Sequence, residues 1–291
     1  MIGTTYANRL STLTQGANQI SEQISALQEQ ATTGLAINRP SDAPEQVSYL
    51  HGLSSQLDDQ GVWSTNAERA TSYLATAESA LSGMADLITS ARALATQYAS
   101  ETYSEEDRAA GADEAQAILD ELVSLANTDL AGRHIFAGTS YDSEPFDSTG
   151  GYLGDSGEPT TRISSSQEVA MGFDGSALLQ GDTDIFAAVS DLVTALTDND
   201  TDAITAAMGE LEDAGGQITS ARTEVASGYN MAEDAVELAS NMETLLSEAI
   251  ESSAGADLVS VYTELSELQT SYEAVLQITA STQSMNLFAM M

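Results

Sequence analysis

The chain has no cysteine and no lysine, four prolines, 5% aromatic residues, and no apolar run near the ~18 residues that a membrane helix needs. Without cysteine there are no disulfides, thiol nucleophiles or cysteine metal sites. Without lysine there is no Schiff-base amine, and all eight basic residues are arginines facing 45 acidic ones, for a formal charge of −37. Charge of that sign repels phosphate backbones and anionic lipid, so nucleic-acid binding and membrane docking are not expected. Residues 1–21 carry one arginine and no continuous apolar segment, so neither membrane insertion nor a cleaved secretory signal is expected. A carboxylate-rich surface with no lysine points to a high-salt habitat, where salt screens self-repulsion.

What is abundant is Ala, Ser, Thr, Leu and Glu, a composition that favours slender helical packing and an elongated molecule. At ~150 residues per domain, the 291 residues suggest about two domains. Residues 1–41 are electrically neutral and residues 258–291 carry −3, so the other −34 lies between them. Quiet ends suit surfaces that are buried against like copies, because juxtaposed like charges cost energy.

Both ends are also periodic. Tyr6, Leu10, Leu13, Ala17, Ile20, Ile24, Leu27 and Ala31 alternate spacings of four and three, a heptad seam. Leu258, Val261, Leu265, Leu268, Tyr272 and Val275 repeat the rhythm near the other end. So narrow a stripe gains little alone and needs a partner. The fourteen residues together are the candidate assembly interface, expected to order when neighbouring copies cover them.

Three longer helices are expected between the ends. The first runs from about Glu45 to Ala99, with Ala67, Ala70, Leu74, Ala77, Leu81, Met84, Ile88, Ala91, Ala95 and Tyr98 inward. Ser104 with Asp107 starts the second through a capping box, and its stripe is Ala112, Ala115, Leu119, Leu122 and Ala126. The third runs from about Asp202 to Ser252, with Leu211, Ala214, Ile218, Ala221, Val225, Tyr229, Ala232, Val236 and Ala239 inward. Residues 139–184 hold seven of the 21 glycines and two of the four prolines, and read as a small β-rich insertion with short strands at Arg162–Ser164 and Glu168–Phe173.

The chain offers little chemistry. His51 and His134 lie far apart in sequence, and no nucleophile elbow, P-loop, dinucleotide fingerprint or zinc-protease helix is present. Each histidine reads better as a packing or turn residue than as a catalyst. The run Asp198-Asn199-Asp200-Thr201-Asp202 begins like an EF-hand, but Ala203 and Gly209 occupy the positions that require Gly and Glu. It reads as a solvated loop whose Asp202 caps the following helix. No enzyme activity, cofactor or metal is expected.

One run is more specific. Gly34 can end a helix, and the segment Gly34-Leu35-Ala36-Ile37-Asn38-Arg39-Pro40-Ser41-Asp42-Ala43-Pro44 places two prolines around a turn before Asp42 and Glu45 can cap the next helix. It resembles the signature of the hook-associated protein 3 family, the hook–filament junction branch of the flagellin superfamily. Ser104–Arg108, Leu125–Thr128, Gly132–Thr139 and Glu144–Phe146 are similar to that family in order and spacing. His134 stands where Tyr is common, and the lack of lysine is atypical. The resemblance covers about residues 1–157 and 185–291.

The resemblance implies a mainly α, flagellin-like fold: a terminal coiled-coil domain of 1–44 and 255–291, a central long-helix bundle of 45–138 and 185–254, and the surface insertion of 139–184. Asn38, Arg39, Pro40, Ser41, Asp42 and Pro44 would form the inter-domain turn. It also implies a mechanical role in the extracellular flagellum, after type III export without a cleaved signal. The partners would be copies of the chain, a hook-side junction protein, filament flagellin and a cytoplasmic export chaperone. A short filament flagellin and a secreted coiled-coil adhesin or translocator are the alternatives. A salt-adapted hydrolase is the reading that activity loss in a His51 or His134 variant would revive.

Overall fold

A computed structural model of the chain describes residues 2–39 and 43–290. In order, the elements are α1 (Ile2–Thr33), α2 (Pro44–Tyr98), α3 (Glu105–Ala126), β1 (Asp129–Leu130), β2 (Arg133–His134), β3 (Thr160–Arg162), β4 (Glu168–Ala170), α4 (Gly175–Leu179), α5 (Ile185–Thr197), α6 (Thr201–Ala254) and α7 (Leu258–Met290). The fold is mainly α, with two small two-stranded sheets. It divides into two compact units, Met1–Asp58 with Met242–Met291, and Asp59–Asn241.

The first unit pairs α1 with α7. Gly34 ends α1 as expected: at φ 73° it leaves the helix with no Cβ penalty, and its N–H reaches the Gln30 carbonyl at 2.9 Å. The chain then forms a one-rung antiparallel bridge, Leu35 opposite Gly255, in which Ala36 N–H donates to Ala254 O at 2.6 Å and Ala256 N–H to Gly34 O at 2.9 Å. Because the end of α1 is tied to the start of α7, the two helices run antiparallel.

The second unit holds the large core. Every α2 position expected inward, from Ala67 to Tyr98, is buried, as are all five of α3. On α6 the stripe is buried except for Tyr229 and Val236, which are half-buried. Alanine makes up much of this core, so the helices approach closely through small side chains. Across the gap between α2 and α6, Arg222 grips the Glu78 carboxylate at 2.6 and 2.9 Å.

Four of the five phenylalanines lie between residues 136 and 186, and they form the thick part of the core. Phe146 sits 5.0 Å from Phe186 and 5.2 Å from Tyr152, centroid to centroid. β1 and β2 form a hairpin that the periodicity did not announce; its loop residues Ala131 (φ 55°) and Gly132 (φ 80°) both adopt the left-handed conformation that a two-residue hairpin requires. The expected strand at Arg162–Ser164 is shifted, and the one at Glu168–Phe173 is shorter. β3 covers Thr160–Arg162, because Ile163 and Ser164 turn to donate to Gln167 O. β4 stops at Ala170; Phe173 N–H instead pairs with Ile135 O at 3.1 Å.

Capping follows the need of the first helical N–H groups for acceptors. Ser104 and Asp107 form the expected reciprocal box at the start of α3. Asp174 and Asp184 cap α4 and α5. At α6 the expectation is corrected: Asp200, not Asp202, accepts the N–H groups of Asp202 and Ala203, each at 3.0 Å. Asp202 lies inside the first turn, where its own carboxylate is past the position that faces those donors.

Among the described residues, one charge is buried. Arg108 is 5% exposed, with Nε donating to Tyr98 O at 3.0 Å, Nη2 to Ser100 O at 2.9 Å and Nη1 to Asn199 Oδ1. It therefore places a cation on the carbonyl end of α2 and ties that end to the turn before α6.

Candidate assembly surface

The terminal seam takes shape in the first unit. Among the described side chains of α1, Leu10, Leu13, Ala17, Ile20, Ile24, Leu27 and Ala31 are half-buried and none is fully buried. The side chain of Tyr6 is not among those described. On α7, Val261 is buried, Leu265, Leu268, Tyr272 and Val275 are half-buried, and Leu258 is exposed. One helix pair thus covers the seam only partly. A stripe seven residues in period is satisfied by facing knobs on one side and leaves its flanks open.

Sequence reasoning missed the flank. Val259 is 78% exposed and Tyr262 56% exposed, and Leu276 is exposed on the same side of α7, beside the seam. The signal was present, since Val259 and Tyr262 each follow a seam residue directly, but a search for a narrow heptad passes over them. Outward residues of α1 are chiefly uncharged and polar: Ser11, Thr12, Gln15, Asn18, Gln19, Gln23 and Ser25. Neither outer face carries the charge density that would oppose close approach of another helix.

The turn between α1 and α2, expected between domains, lies inside the first unit and is built on backbone satisfaction. Asn38 Nδ2 donates to Leu35 O at 2.8 Å, and Gln30 Nε2 donates to Ala36 O at 3.1 Å, so two amide side chains hold the segment after Gly34. Arg39 pairs with Glu29 at 2.6 Å on an exposed surface, a contact that contributes at most ~1 kcal/mol. Pro40, Ser41 and Asp42 lie outside the described residues. Pro44 opens α2, the position where a missing N–H costs nothing. Next to the turn, Leu35, Ile37, Val47, Leu50, His51 and Ile250 border a cavity of about 200 Å³.

In the second unit, the motif residues after α3 do structural work. Asn127 exchanges two hydrogen bonds with the Phe146 backbone, each 2.9 Å long, in the manner of a strand pair. His134 Nδ1 lies 2.8 Å from Asn127 O, which fixes its Nδ1–H tautomer against that carbonyl. The Tyr73 hydroxyl donates to His134 O at 3.2 Å, and burial pushes its pKa up to about 12. Asp155 accepts from Thr139 N–H (2.8 Å), Thr139 Oγ1 (2.5 Å), Ser140 Oγ (2.7 Å) and Gly157 N–H (2.9 Å), and the Thr139 hydroxyl first among them holds its carboxyl far below the usual carboxylate range. His134 and Asp155 are both engaged with the fold. Among the described residues, no group of three His, Asp or Glu is arranged to hold a metal ion, and no helix is long and apolar enough to cross a membrane.

A half-covered pair of terminal helices, with the Gly132–Thr139 motif in a compact β-rich core, is the geometry to set beside known proteins. The bacterial flagellin N-terminal helical region matches residues 4–141. Flagellar hook-associated protein 3 of Salmonella typhimurium is 34% identical over 159 residues, covering 54% of this chain and 50% of that protein. The N-terminal part of the chain is thus similar to flagellin-superfamily proteins. Hook-associated protein 3 of Escherichia coli is 29% identical over 199 residues, 62% of this chain and 63% of that one. The chain thus matches between half and under two thirds of the length of these curated relatives. In fold it is similar to the crystal structure of FlgL from Bacillus cereus, with a TM-score of 0.62, 24% identity, and coverage of 69% of this chain and 99% of that one.

Proposed function

We propose that this chain is a flagellin-superfamily protein and a structural subunit of the bacterial flagellum at the junction between hook and filament, with no enzymatic activity. The observation that carries the reading is the antiparallel α1–α7 pair, whose seam is half-buried and whose α7 flank leaves Val259, Tyr262 and Leu276 in solvent. Copies of the chain cover that flank in the assembled layer, and burial contributes ~25 cal/mol per Å² before ordering entropy is subtracted. The seam residues from Leu10 to Ala31 and from Leu258 to Val275, with Tyr6, form the assembly interface. A hook-side junction protein on one side and filament flagellin on the other are its axial neighbours, and an export chaperone covers the C-terminal helix in the cytoplasm before secretion through the type III apparatus. The working location is extracellular.

The test is genetic and structural together. Cells lacking the chain should carry hooks without filaments and shed flagellin monomers, and supply of Ile20→Asp or Leu268→Asp should fail to restore filaments although the variant is exported. Normal filaments in the deletion strain overturn the reading. The flagellin-type N-terminal match also supports a short filament flagellin. Long homopolymers grown from the pure protein would decide for that reading instead.

A further inference from the structure

The negative charge is divided unequally between parts that fold by different means. The unit Asp59–Asn241 holds 33 carboxylates against six arginines, a net −27, whereas α1 and α7 together hold five against one, a net −4. The arginines do little to offset this. Arg108 is buried on neutral acceptors, Arg133 lies 3.8 Å from the Tyr141 ring centroid, and three others each meet a single carboxylate.

The excess is organised on α3. Glu106, Asp113 and Asp120 form one exposed row and Asp107, Glu114 and Glu121 a second, with Ala110 and Ala117 between them. Members of a row are seven residues apart, ~10.5 Å along the axis. That spacing falls well inside the Debye length of ~30 Å at 0.01 M salt and well outside the ~3 Å at 1 M. Meanwhile the core that must resist the repulsion is rich in alanine, which buries little apolar area per residue.

We infer that the unit Asp59–Asn241 is a salt-dependent fold, held together only when counter-ions screen its carboxylates, while the α1–α7 pair of the same chain is indifferent to salt. Mobile counter-ions, with no dedicated cation site, thus act as a structural component of one unit. The chain carries two independent responses to ionic strength, and this holds whatever the chain assembles with.

Region-resolved hydrogen exchange of the full chain in KCl tests it. Between ~1 M and ~0.01 M salt, core amides at Leu74, Leu122 and Ile218 should lose at least ~100-fold in protection, and those of α1 and α7 less than ~3-fold. The variant Asp113→Asn, Glu114→Gln, Asp120→Asn, Glu121→Gln should recover at least ~10-fold of the protection lost at low salt and change little at ~1 M. Equal protection of the unit at both salt concentrations overturns the inference. Parallel loss in both units overturns it as well. An undiminished salt response in the variant, the mark of general salting-out rather than screening, does the same.

Discussion

Replacing Arg108 with Met removes the one buried charge among the described residues, takes the guanidinium donor from Tyr98 O and leaves Ser100 O only the longer bond from Tyr103 N–H at 3.3 Å. A hydrogen bond to a charged group contributes ~1.5–3 kcal/mol. A partly buried cation at a helix C-terminus contributes up to ~2 kcal/mol more. Against this, Met spares the cost of desolvating a guanidinium, several kcal/mol. The balance is a loss of ~3–4 kcal/mol, equivalent to ~6–16 °C in the melting temperature of a unit this size. Urea unfolding followed by near-UV circular dichroism suits the measurement, because Tyr98 and Tyr103 meet edge-on at 4.9 Å beside Arg108. Arg108→Lys keeps the charge but not the planar fork, and should recover part of the loss. Asn199→Gly keeps the positive φ of 55° and removes only the third acceptor, for ~1 kcal/mol. In the Arg108/Asn199 double variant the two losses should couple by at least ~0.5 kcal/mol. Stability of Arg108→Met within ~0.5 kcal/mol of the parent, or strict additivity with Asn199→Gly, refutes the argument.

Two further outcomes follow from the β-rich core. The carboxyl of Asp155 is depressed by hydrogen bonds from Thr139, Ser140 and Gly157, so its contribution is fully present above the unfolded value near ~4 and disappears as pH falls through the lower folded value. Asp155→Asn should therefore be clearly less stable than the parent at neutral pH, with the gap closing in acid; a thermal-melt gap of constant size down to pH ~2 contradicts this. Among the glycines, Gly138 has φ 67° and an added Cβ would stand 2.2 Å from Asp155 O, so Gly138→Ala should cost ~2–4 kcal/mol. Gly209 inside α6 faces open space, so Gly209→Ala should raise stability by ~0.5–1 kcal/mol; chemical denaturation of both variants reads the opposite signs.

The long helices were legible because a period of 3.6 repeated over five or more turns is hard to counterfeit, and the α2 stripe from Ala67 to Tyr98 is buried position for position. Ser104 and Gly34 were legible for a different reason: each answers a local need, an orphan N–H or a positive φ, that a single residue type meets. Strands of two or three residues carry no period, so the β1–β2 hairpin and the shifted ends of β3 and β4 had no signature in the chain. Asp200 and Asp202 were equivalent as letters; only the direction of entry into α6 chose between them. The seam residues of α1 and α7 could be named from spacing, but their antiparallel pairing through Leu35 and Gly255, and the solvent left around Val259 and Tyr262, could not. Arg108 shows the same divide. Sequence set its charge, and tertiary structure, by closing two distant turns around it, decided that the charge would sit in a core with only neutral oxygens for company. Local chemistry and repeat spacing are written residue by residue, whereas burial depends on which distant segments arrive at the same place.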